Sequence, residues 1–338
     1  MADAHLRVGF AGPLISFQDA GRPGHMRFGV PRSGPMDRLS HRAANTALGQ
    51  PADSTTIEVS LAGMSIDCLD GAVTLSIAGG AFRIDHAGQV DTGWRVVTLR
   101  AGERLTMRPG PRGSWAYLAV AGHFLTQTWL GHSATHSISG FGGGAIRSGQ
   151  EITVIDAEIR EDREGPIPEP DFHVPDKTTD VVMGPQDQHF SRLAIERFLT
   201  ENFALSDAFD RMGVRLTGAK LDLERALSIP SEPVLRGAIQ VAGDGVPTIL
   251  LADHQTTGGY PKIATIPSYD LDRVAQMRAH DAISFVPITA DQAVAASRKY
   301  AHLCRHYLNQ IAIPRGNLTQ RLMRDNLISG VVAWPDME

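Results

Sequence analysis

The sequence predicts a mainly β protein with a few helices (α+β class), built from two β-rich subdomains. The 34 glycines and 20 prolines are scattered along 338 residues, and short apolar runs of strand length lie between them. The runs carry β-branched or aromatic residues, which favour strands; they are 73–77, 95–99, 115–120, 152–155 and 248–251. Short strands separated by frequent turns indicate a barrel-like architecture.

Helical patterns are fewer. A helix is predicted over 36–48, where apolar or small residues recur at helical spacing after a Ser-Gly-Pro turn and Gly49 ends the pattern. Further helices are predicted over 190–199, over 271–277 and, as the longest, over 291–308, where alanines and valines are spaced for one buried face. The tail from 314 onward is expected to be an appended piece with a loosely packed helix over 318–327.

The segment 158–175 has the composition of a linker. Its first part is highly charged, and prolines follow at 166, 168, 170 and 175. Proline fixes φ and removes a hydrogen-bond donor, so this stretch resists both helix and central strand. The sequence therefore predicts an N-terminal β-rich subdomain over 1–165, a C-terminal β-rich subdomain over 176–290 and a helical C-terminal extension over 291–338.

The composition argues against several classes of function. A formal net charge of -5 gives no indication of a basic patch for nucleic acid or an anionic membrane. No apolar run approaches the roughly 20 residues that cross a bilayer, and the N-terminus lacks the apolar core of a signal peptide. We therefore expect a cytoplasmic protein. Cys68 and Cys304 follow no CxxC spacing, which indicates two buried thiols in a reducing compartment.

The common cofactor and nucleophile motifs do not occur. The sequence has no GxxxxGK[ST] P-loop, no strand–GxGxxG–helix fingerprint, no GxSxG elbow and no Ala-Met-Lys-Met biotin-attachment sequence. The histidine pairs at 132/136 and 302/306 have an i, i+4 spacing but lack the glutamate of a zinc-protease motif. No metal site is expected.

Three stretches concentrate polar residues among glycines and prolines, a composition suited to placing side chains around a ligand. The first, over 17–37, reads FQDAGRPGHMRFGVPRSGPMD. Arg22 offers a planar fork for a carboxylate or phosphate, or an ion pair with Asp19 that merely fixes the loop. Glu58 follows in an apolar strand, where it needs a partner or a raised pKa, and Arg22 is one candidate partner. The candidate site residues of this half are Gln18, Asp19, Arg22, Ser33, Asp37, Asn45 and Glu58.

The second stretch, over 210–218, reads DRMGVRLTG. In a strand Arg211 and Arg215 would project from one face, because they are an even number of positions apart. Two guanidinium groups on one face repel each other unless an anion or acidic side chains lie between them. The pair therefore predicts either an anionic ligand or an acid-paired or solvated face.

The third stretch, over 252–263, reads ADHQTTGGYPKI and follows the apolar run 248–251. A Thr-Thr-Gly-Gly turn exposes hydroxyl and backbone N–H groups that can form an anion-binding nest. Segment 237–240 is predicted to pair with 248–251 through an Asp244-Gly245 turn. His254 could titrate near neutral pH, although a solvent-facing histidine is the simpler interpretation. The candidates here are Gln240, Asp253, Gln255, Thr256, Thr257, Gly258, Gly259, Tyr260 and Lys262.

Four motifs in this order, F-Q-D-A-G-R-P-G, G-V-P-x-S-G-x-M-D, R-M-G-x-R-L-x-G and D-H-Q-T-T-G-G-Y-P-K-I-A-T, resemble the family of allophanate hydrolase subunit 2. This family is also called the carboxyltransferase subdomain A/B family. The resemblance runs from about residue 8 to about residue 286. Its members include the C-type subunits of 5-oxoprolinase, which the resemblance favours, the carboxyltransferase region of urea carboxylase, and a regulator of a sporulation kinase inhibitor.

The resemblance implies a mainly β fold in which one subdomain is a cyclophilin-like barrel. It also implies a B-type partner, similar to allophanate hydrolase subunit 1, and in 5-oxoprolinase an A-type partner as well. That complex opens 5-oxo-L-proline to L-glutamate with ATP hydrolysis, and the chain alone is expected to be inactive. As a urea carboxylase-like component, the chain would instead need biotin on a separate carrier. The remaining alternative is a non-catalytic regulator of a kinase inhibitor.

Residue types suggest roles within that reaction. A lactam is resonance-stabilised, and phosphorylation of its oxygen would make it a good electrophile. We infer that Arg211, Arg215, Thr256, Thr257 and Lys262 hold the transferring phosphoryl group. The predicted catalytic set is Asp19, Arg22, Asp37, Glu58, Arg211 and Lys262, and the other candidates bind substrate. Two departures from the family bear on the substrate: segment 131–135 lacks an expected arginine, and Arg236 replaces an expected proline.

Overall fold

The computed structural model describes residues 2–224, 228–316 and 319–320. Up to residue 166 the chain forms helix α1 (Arg38–Ala47) and thirteen strands within the described residues. The strands are β1 (Ala2–Ala11), β2 (Ser16–Gln18), β3 (Thr56–Ser60), β4 (Met64–Asp70), β5 (Ala72–Ala78), β6 (Arg83–His86), β7 (Gln89–Thr92), β8 (Arg95–Arg100), β9 (Arg104–Arg108), β10 (Trp115–Val120), β11 (His123–Phe124), β12 (Glu151–Ala157) and β13 (Gly165–Pro166).

The chain after residue 177 alternates strands with three helices in its described part, α2 (Arg192–Thr200), α3 (Ser268–Ala275) and α4 (Ala290–Ile311). The strands are β14 (Thr178–Met183), β15 (Phe203–Phe209), β16 (Gly213–Thr217), β17 (Glu232–Pro233), β18 (Ala238–Val241), β19 (Pro247–Leu250), β20 (Thr257–Gly258), β21 (Lys262–Thr265) and β22 (Ala282–Pro287).

The strands form two open sheets and a barrel. The first half holds sheets of order β11-β12-β1-β4-β9-β6-β7 and β13-β8-β5-β10-β3-β2. The second half closes the barrel β14-β21-β18-β19-β16-β15-β22, with β17 and β20 pairing separately. The prediction of a mainly β protein with a barrel subdomain is confirmed. The comparison of this barrel with cyclophilin stays a prediction.

The predicted helices and hairpin are confirmed with small shifts at their ends. Helix α1 begins at an N-cap aspartate, Asp37, whose carboxylate accepts from the Ser40 N–H. Helix α4 begins with a capping box formed by Thr289 and Gln292. Strands β18 and β19 pair around the predicted turn, with Ile239 opposite Ile249. The helix predicted over 318–327 lies outside the described residues except at 319–320.

The two halves share one hydrophobic core. A single buried cluster contains Leu39 and Ala43 of α1 together with Val214 and Ile249 of the barrel. A second cluster fills the space between the two open sheets. The segment between the halves contains the edge strand β13 and short 3₁₀ turns, as its prolines require. The subdomain boundaries at 165, 176 and 290 stay a prediction.

The structure also bears on the cysteines, on metal binding and on membrane-spanning helices. Both cysteines are free; Cys68 is buried, whereas Cys304 on α4 is only half-buried. Across the described ranges, histidine, cysteine and acidic side chains form no group of three placed to hold a metal ion. No helix in the described part of the chain is long and apolar enough to cross a membrane.

Candidate functional site

A cleft of about 620 Å³ lies on the outer face of the barrel. Side chains alternate along its strands, so Val214 and Ile249 are buried in the core while Arg215 and Thr248 line the cleft. The β15–β16 hairpin and the loop after β19 supply the rest of the wall. The lining includes Asp207, Asp210, Met212, Gln240, Leu250, Gln255 and Tyr260. Two of the three polar stretches therefore meet at one cleft.

Two carboxamides lie at the base of this cleft. Gln255 Nε2 donates to Gln240 Oε1 at 2.9 Å, which fixes the orientation of the Gln240 amide. The buried Gln240 Nε2 has no hydrogen-bond partner among the described residues. Gly258 packs against this amide, and a Cβ at that position would overlap Gln240 Nε2. The chain thus holds a donor group in place without satisfying it, which is costly unless a ligand or water binds there.

Lys262 is the register partner of Gln240 across β21 and β18. Its ammonium is almost wholly buried, lacks a hydrogen-bond partner within the described ranges and lies 3.7 Å from the Glu232 carboxylate. Gln186 connects the two: its Oε1 accepts from the Lys262 N–H at 3.0 Å, and its Nε2 donates to Glu232. Gln186 and Glu232 were not predicted: Gln186 lies in a bend that carries no motif, and Glu232 lies in the two-residue strand β17, which has no strand-length apolar run.

Arg211 lies deeper, at the junction of the two halves. Its side chain is 1% exposed and donates to Glu58, to Asp253 through Nε (2.9 Å) and Nη2 (3.1 Å), and to the Gly34 carbonyl at 2.7 Å. Burial lowers the pKa of Arg211, but the two carboxylates outweigh it and raise the pKa. Burial likewise raises the pKa of Asp253, and Arg211 brings it below its usual value. The three predicted stretches converge on this guanidinium.

The predicted partner of Glu58 was wrong. Glu58 binds Arg211, not Arg22, and its Oε2 also accepts from the Tyr117 hydroxyl at 2.8 Å and from the Met36 N–H. The two residues of this ion pair are 153 positions apart, so no local pattern could have paired them. Because each of its three nitrogens donates to a protein group, the Arg211 guanidinium is a structural connector. Its predicted role in holding a phosphoryl group is corrected.

Arg22 is buried elsewhere. Its Nη2 donates to the Ala134 carbonyl, and its guanidinium lies 4.9 Å from the centre of the Trp129 ring. Nε and Nη1 have no hydrogen-bond partners among the residues described. Burial lowers the pKa of Arg22, while the charges of Asp19 and Asp253 act against it. Arg22 belongs to the loop cluster around 129–137 and does not line the cleft.

The other candidates of the first half stabilise turns. Asp19 accepts from the Gly21 and Ser133 N–H groups and lies 3.3 Å from His132, so the simple Asp19–Arg22 pair is also wrong. Gln18 donates to Ser16 and Thr135, and Asn45 donates to the Ala52 and Ser54 carbonyls. Ser33 has a φ of 55°, and its hydroxyl is buried. None of these residues lines the barrel cleft.

Asp37 belongs to a separate buried chain of polar groups. His173 Nε2 lies 2.8 Å from Asp37 Oδ1, and His173 Nδ1 lies 2.9 Å from the Tyr300 hydroxyl. Burial raises the pKa of Asp37, but His173 and Ser40 outweigh it and lower the pKa to about 2. Burial lowers the pKa of His173, and Asp37 reverses the shift and raises it. Asp37 therefore joins α1 to α4 and is not placed at the cleft.

The anion-binding nest predicted at 256–259 does not form. Thr257 and Gly258 form strand β20 against β17, and neither Gly258 nor Gly259 adopts the positive φ that a nest uses. The Thr256 carbonyl accepts from the Val234 N–H, and Thr257 is exposed. Tyr260, at 46% exposure, lines the cleft together with Phe209.

Arg211 and Arg215 do not share a face, contrary to prediction. Strand β16 begins at Gly213, so Arg211 lies in the preceding turn, where the alternation of a strand does not apply. Arg215 is half-exposed and pairs with Asp244 at 2.6 Å. His254, expected to face solvent, is instead buried, and this burial lowers its pKa.

Arg236 also connects the halves. It donates to the Pro35 and Met36 carbonyls and lies 3.7 Å from Asp272. Burial lowers the pKa of Arg236 to about 10. The sequence marked this position only as a departure from the family pattern, and the structure gives it a role in binding the first polar stretch to the barrel.

Comparison with known proteins identifies relatives. The sequence profile described as "Carboxyltransferase domain, subdomain A and B" matches residues 28–287. The chain is 32% identical over 303 residues to the C subunit of 5-oxoprolinase from Haemophilus influenzae, covering 88% of this chain and 94% of that protein. It is 30% identical over 307 residues to urea amidolyase of Saccharomyces cerevisiae, covering 84% of this chain but only 17% of that protein.

A solved structure shows the same fold. The Kluyveromyces lactis urea carboxylase superposes with a TM-score of 0.80 over 90% of this chain and 29% of that chain, at 24% sequence identity. The chain thus spans nearly all of the 5-oxoprolinase relative but under a third of the urea carboxylase.

Proposed function

The chain belongs to the carboxyltransferase domain, subdomain A and B family, and from this membership we propose that it is the C-type subunit of an ATP-dependent 5-oxoprolinase. The complex would open 5-oxo-L-proline to L-glutamate. The relative of that name matches this chain over nearly its full length, which supports a separate subunit of the same kind. The name of that relative also supports an assembly of several subunits, in which this chain acts beside a B-type and an A-type partner and is inactive alone.

The carboxamide pair at the base of the barrel cleft carries the proposal. A lactam presents one carbonyl acceptor and one N–H donor, and a pair of glutamines offers the complementary groups. Gln255 holds the Gln240 amide in place, and the buried Gln240 Nε2 has no hydrogen-bond partner among the described residues, which supports its use as a donor to a ligand carbonyl. The buried Lys262 ammonium adds positive potential for a ligand carboxylate. A small amide-bearing acid is the substrate class that these groups favour.

The cleft does not fit the phosphates of ATP. Its wall carries the Asp207 and Asp210 carboxylates, which oppose the several negative charges of a triphosphate much more strongly than the single charge of a small acid. The Arg211 guanidinium is fully engaged, and Arg215 is paired with Asp244. We therefore place ATP on one of the partner chains, and the residues of this cleft bind and orient the amide.

The test is reconstitution of the complex. The full chain is mixed with candidate B-type and A-type partners, 5-oxoproline and ATP, and glutamate release is measured. We expect Gln240→Leu and Gln255→Leu each to lower kcat/KM about tenfold or more, since each removes at least one hydrogen bond near the substrate. Gln310→Leu is the matched control, because Gln310 lies exposed on α4.

Two results would count against this function. Unchanged glutamate release in both cleft variants would remove the cleft from the reaction. A reconstituted complex that releases no glutamate, while the folded chain still binds its partners, would reject 5-oxoproline as the substrate.

The match to urea amidolyase supports one second candidate, a biotin-dependent carboxyltransferase component acting on a small amide such as urea. Such a component needs biotin on a separate carrier. Co-purification with a biotinylated partner and biotin-dependent carboxylation of urea would favour this candidate over 5-oxoprolinase.

A further inference from the structure

A second cavity lies among the helices. A groove of about 650 Å³ is bounded by α1, α3 and α4. On α4 its residues recur at helical spacing, with Ala301, Cys304 and Leu308 on one face. Leu39 of α1 and the ring of Tyr269 of α3 also line it. The volume falls in the range of small-molecule sites, and these walls offer an apolar body a place to bind.

The charged groups at this groove are mainly cationic. Arg38, Arg42 and Arg305 line it, against the single carboxylate of Asp272 among its lining residues. Arg38 is committed to Asp272 and to the Ser268 carbonyl. Arg42 lies 3.3 Å from Asp53 with both side chains about half exposed, a pair that is worth little in water. Arg305 is exposed, and its guanidinium can turn toward the groove.

The groove also contains polar groups that are fixed in place. The Tyr300 hydroxyl pairs with buried His173, so its ring is held at the wall. The Cys304 thiol is half-buried, and burial raises its pKa to about 11, so it stays an uncharged, weakly polar surface at neutral pH. The result is an apolar, partly aromatic cavity whose free charges are positive.

We propose that this groove binds a small organic carboxylate with a flat apolar body. The body would lie against the neighbouring rings of Tyr269 and Tyr300, whose centroids are 6.3 Å apart, and against the aliphatic wall of α4. The carboxylate would accept hydrogen bonds from the guanidinium groups of Arg42 and Arg305. The site is distinct from the barrel cleft, with which it shares no lining residue.

Calorimetric titration of the full chain tests the proposal, with phenylacetate as the probe and phenylacetamide as its uncharged counterpart. We expect phenylacetate to bind at least about tenfold more tightly than the amide, the equivalent of one charge-assisted hydrogen bond. Arg305→Glu is expected to weaken phenylacetate binding by at least about tenfold. Ala301→Trp is expected to abolish it by filling the groove.

Matched variants on the same helix control for charge and bulk. Arg298→Glu and Ala295→Trp make the same changes at exposed positions of α4 that do not line the groove, and both should bind as the unmodified chain does. Absence of phenylacetate binding overturns the proposal. If phenylacetate and phenylacetamide bind equally well, the ligand is not recognised as a carboxylate. If all four variants bind phenylacetate equally well, the binding site is not this groove.

Discussion

Arg211 of the barrel half and Glu58 of the first half form an ion pair that is completely buried. The same guanidinium binds Asp253, so one cation is shared by two carboxylates that come from different halves. Removal of one member of such a cluster is strongly destabilising, because the remaining members are then buried with uncompensated charge. The convergence of the three polar stretches therefore explains how the halves are joined, and the cleft beside it is where ligand chemistry is proposed.

Arg211→Ala should lower the free energy of unfolding by about 3–5 kcal/mol, because Glu58 and Asp253 would remain buried without their partner. Urea unfolding measures the effect. Arg215→Ala is the control, and its exposed pair with Asp244 should contribute about 1 kcal/mol or less. If Arg211→Ala kept its stability but lost glutamate release in the reconstituted complex, Arg211 would belong to the chemistry after all.

The Asp37–His173 pair should make the free energy of unfolding fall both at acidic pH, where Asp37 is protonated, and at alkaline pH, where His173 loses its proton. The raised pKa of His173 contributes stability that is complete below its ordinary value of 6.5 and is lost as pH rises through the folded value. The lowered pKa of Asp37 contributes stability that is complete above its ordinary value of 3.8 and is lost as pH falls toward about 2. Urea unfolding at several pH values compares the unmodified chain with His173→Gln. The difference in their free energies of unfolding should be largest between the folded pKa of Asp37 and that of His173. A difference that stays constant from about pH 5 to about pH 9 would exclude this linkage.

Gly258→Ala should displace the Gln240 amide, since the added Cβ would lie 2.4 Å from Gln240 Nε2, which is too close for two non-bonded atoms. We expect kcat/KM for glutamate release to fall about as far as in Gln240→Leu, roughly tenfold. The double variant Gly258→Ala/Gln240→Leu has no amide to displace, so its loss in kcat/KM should be less than the sum of the losses in the two single variants. Additive losses would mean that Gly258 acts independently of Gln240.

Asn45→Ala should affect stability and not activity. Asn45 Nδ2 closes the turn after α1 by donating to the Ala52 and Ser54 carbonyls, and its loss should cost about 1–3 kcal/mol. Glutamate release per folded complex should be unchanged. Asn202→Ala, at an exposed position, should change stability by about 0.5 kcal/mol or less. A selective rise in KM for Asn45→Ala would restore this residue to the substrate site.

The local sequence was sufficient for the family, for the helices and for some of the strands. Short apolar runs rich in β-branched or aromatic residues predicted strands such as β10 and β19, and Asp244-Gly245 predicted the hairpin between β18 and β19. Both kinds of signal depend on neighbouring residues only, through strand propensity and turn geometry. The motif order predicted family membership for the same reason, since it is read directly along the chain.

Partner choice was decided by the tertiary structure. Nothing near Glu58 in the chain indicates that Arg211 neutralises it, and nothing near Asp37 indicates His173. The prediction that Arg211 and Arg215 share one strand face was wrong because Arg211 lies in the turn before the strand. The predicted Thr-Thr-Gly-Gly anion-binding nest does not form because β17 pairs with Thr257 and Gly258. Sequence determined which groups are polar and which segments are extended. Only the packing of the barrel on the first half decided which polar groups form structural pairs and which, like the Gln240 Nε2, are buried without a hydrogen-bond partner among the described residues. The physical reason is that burial and charge pairing depend on residues distant in the chain.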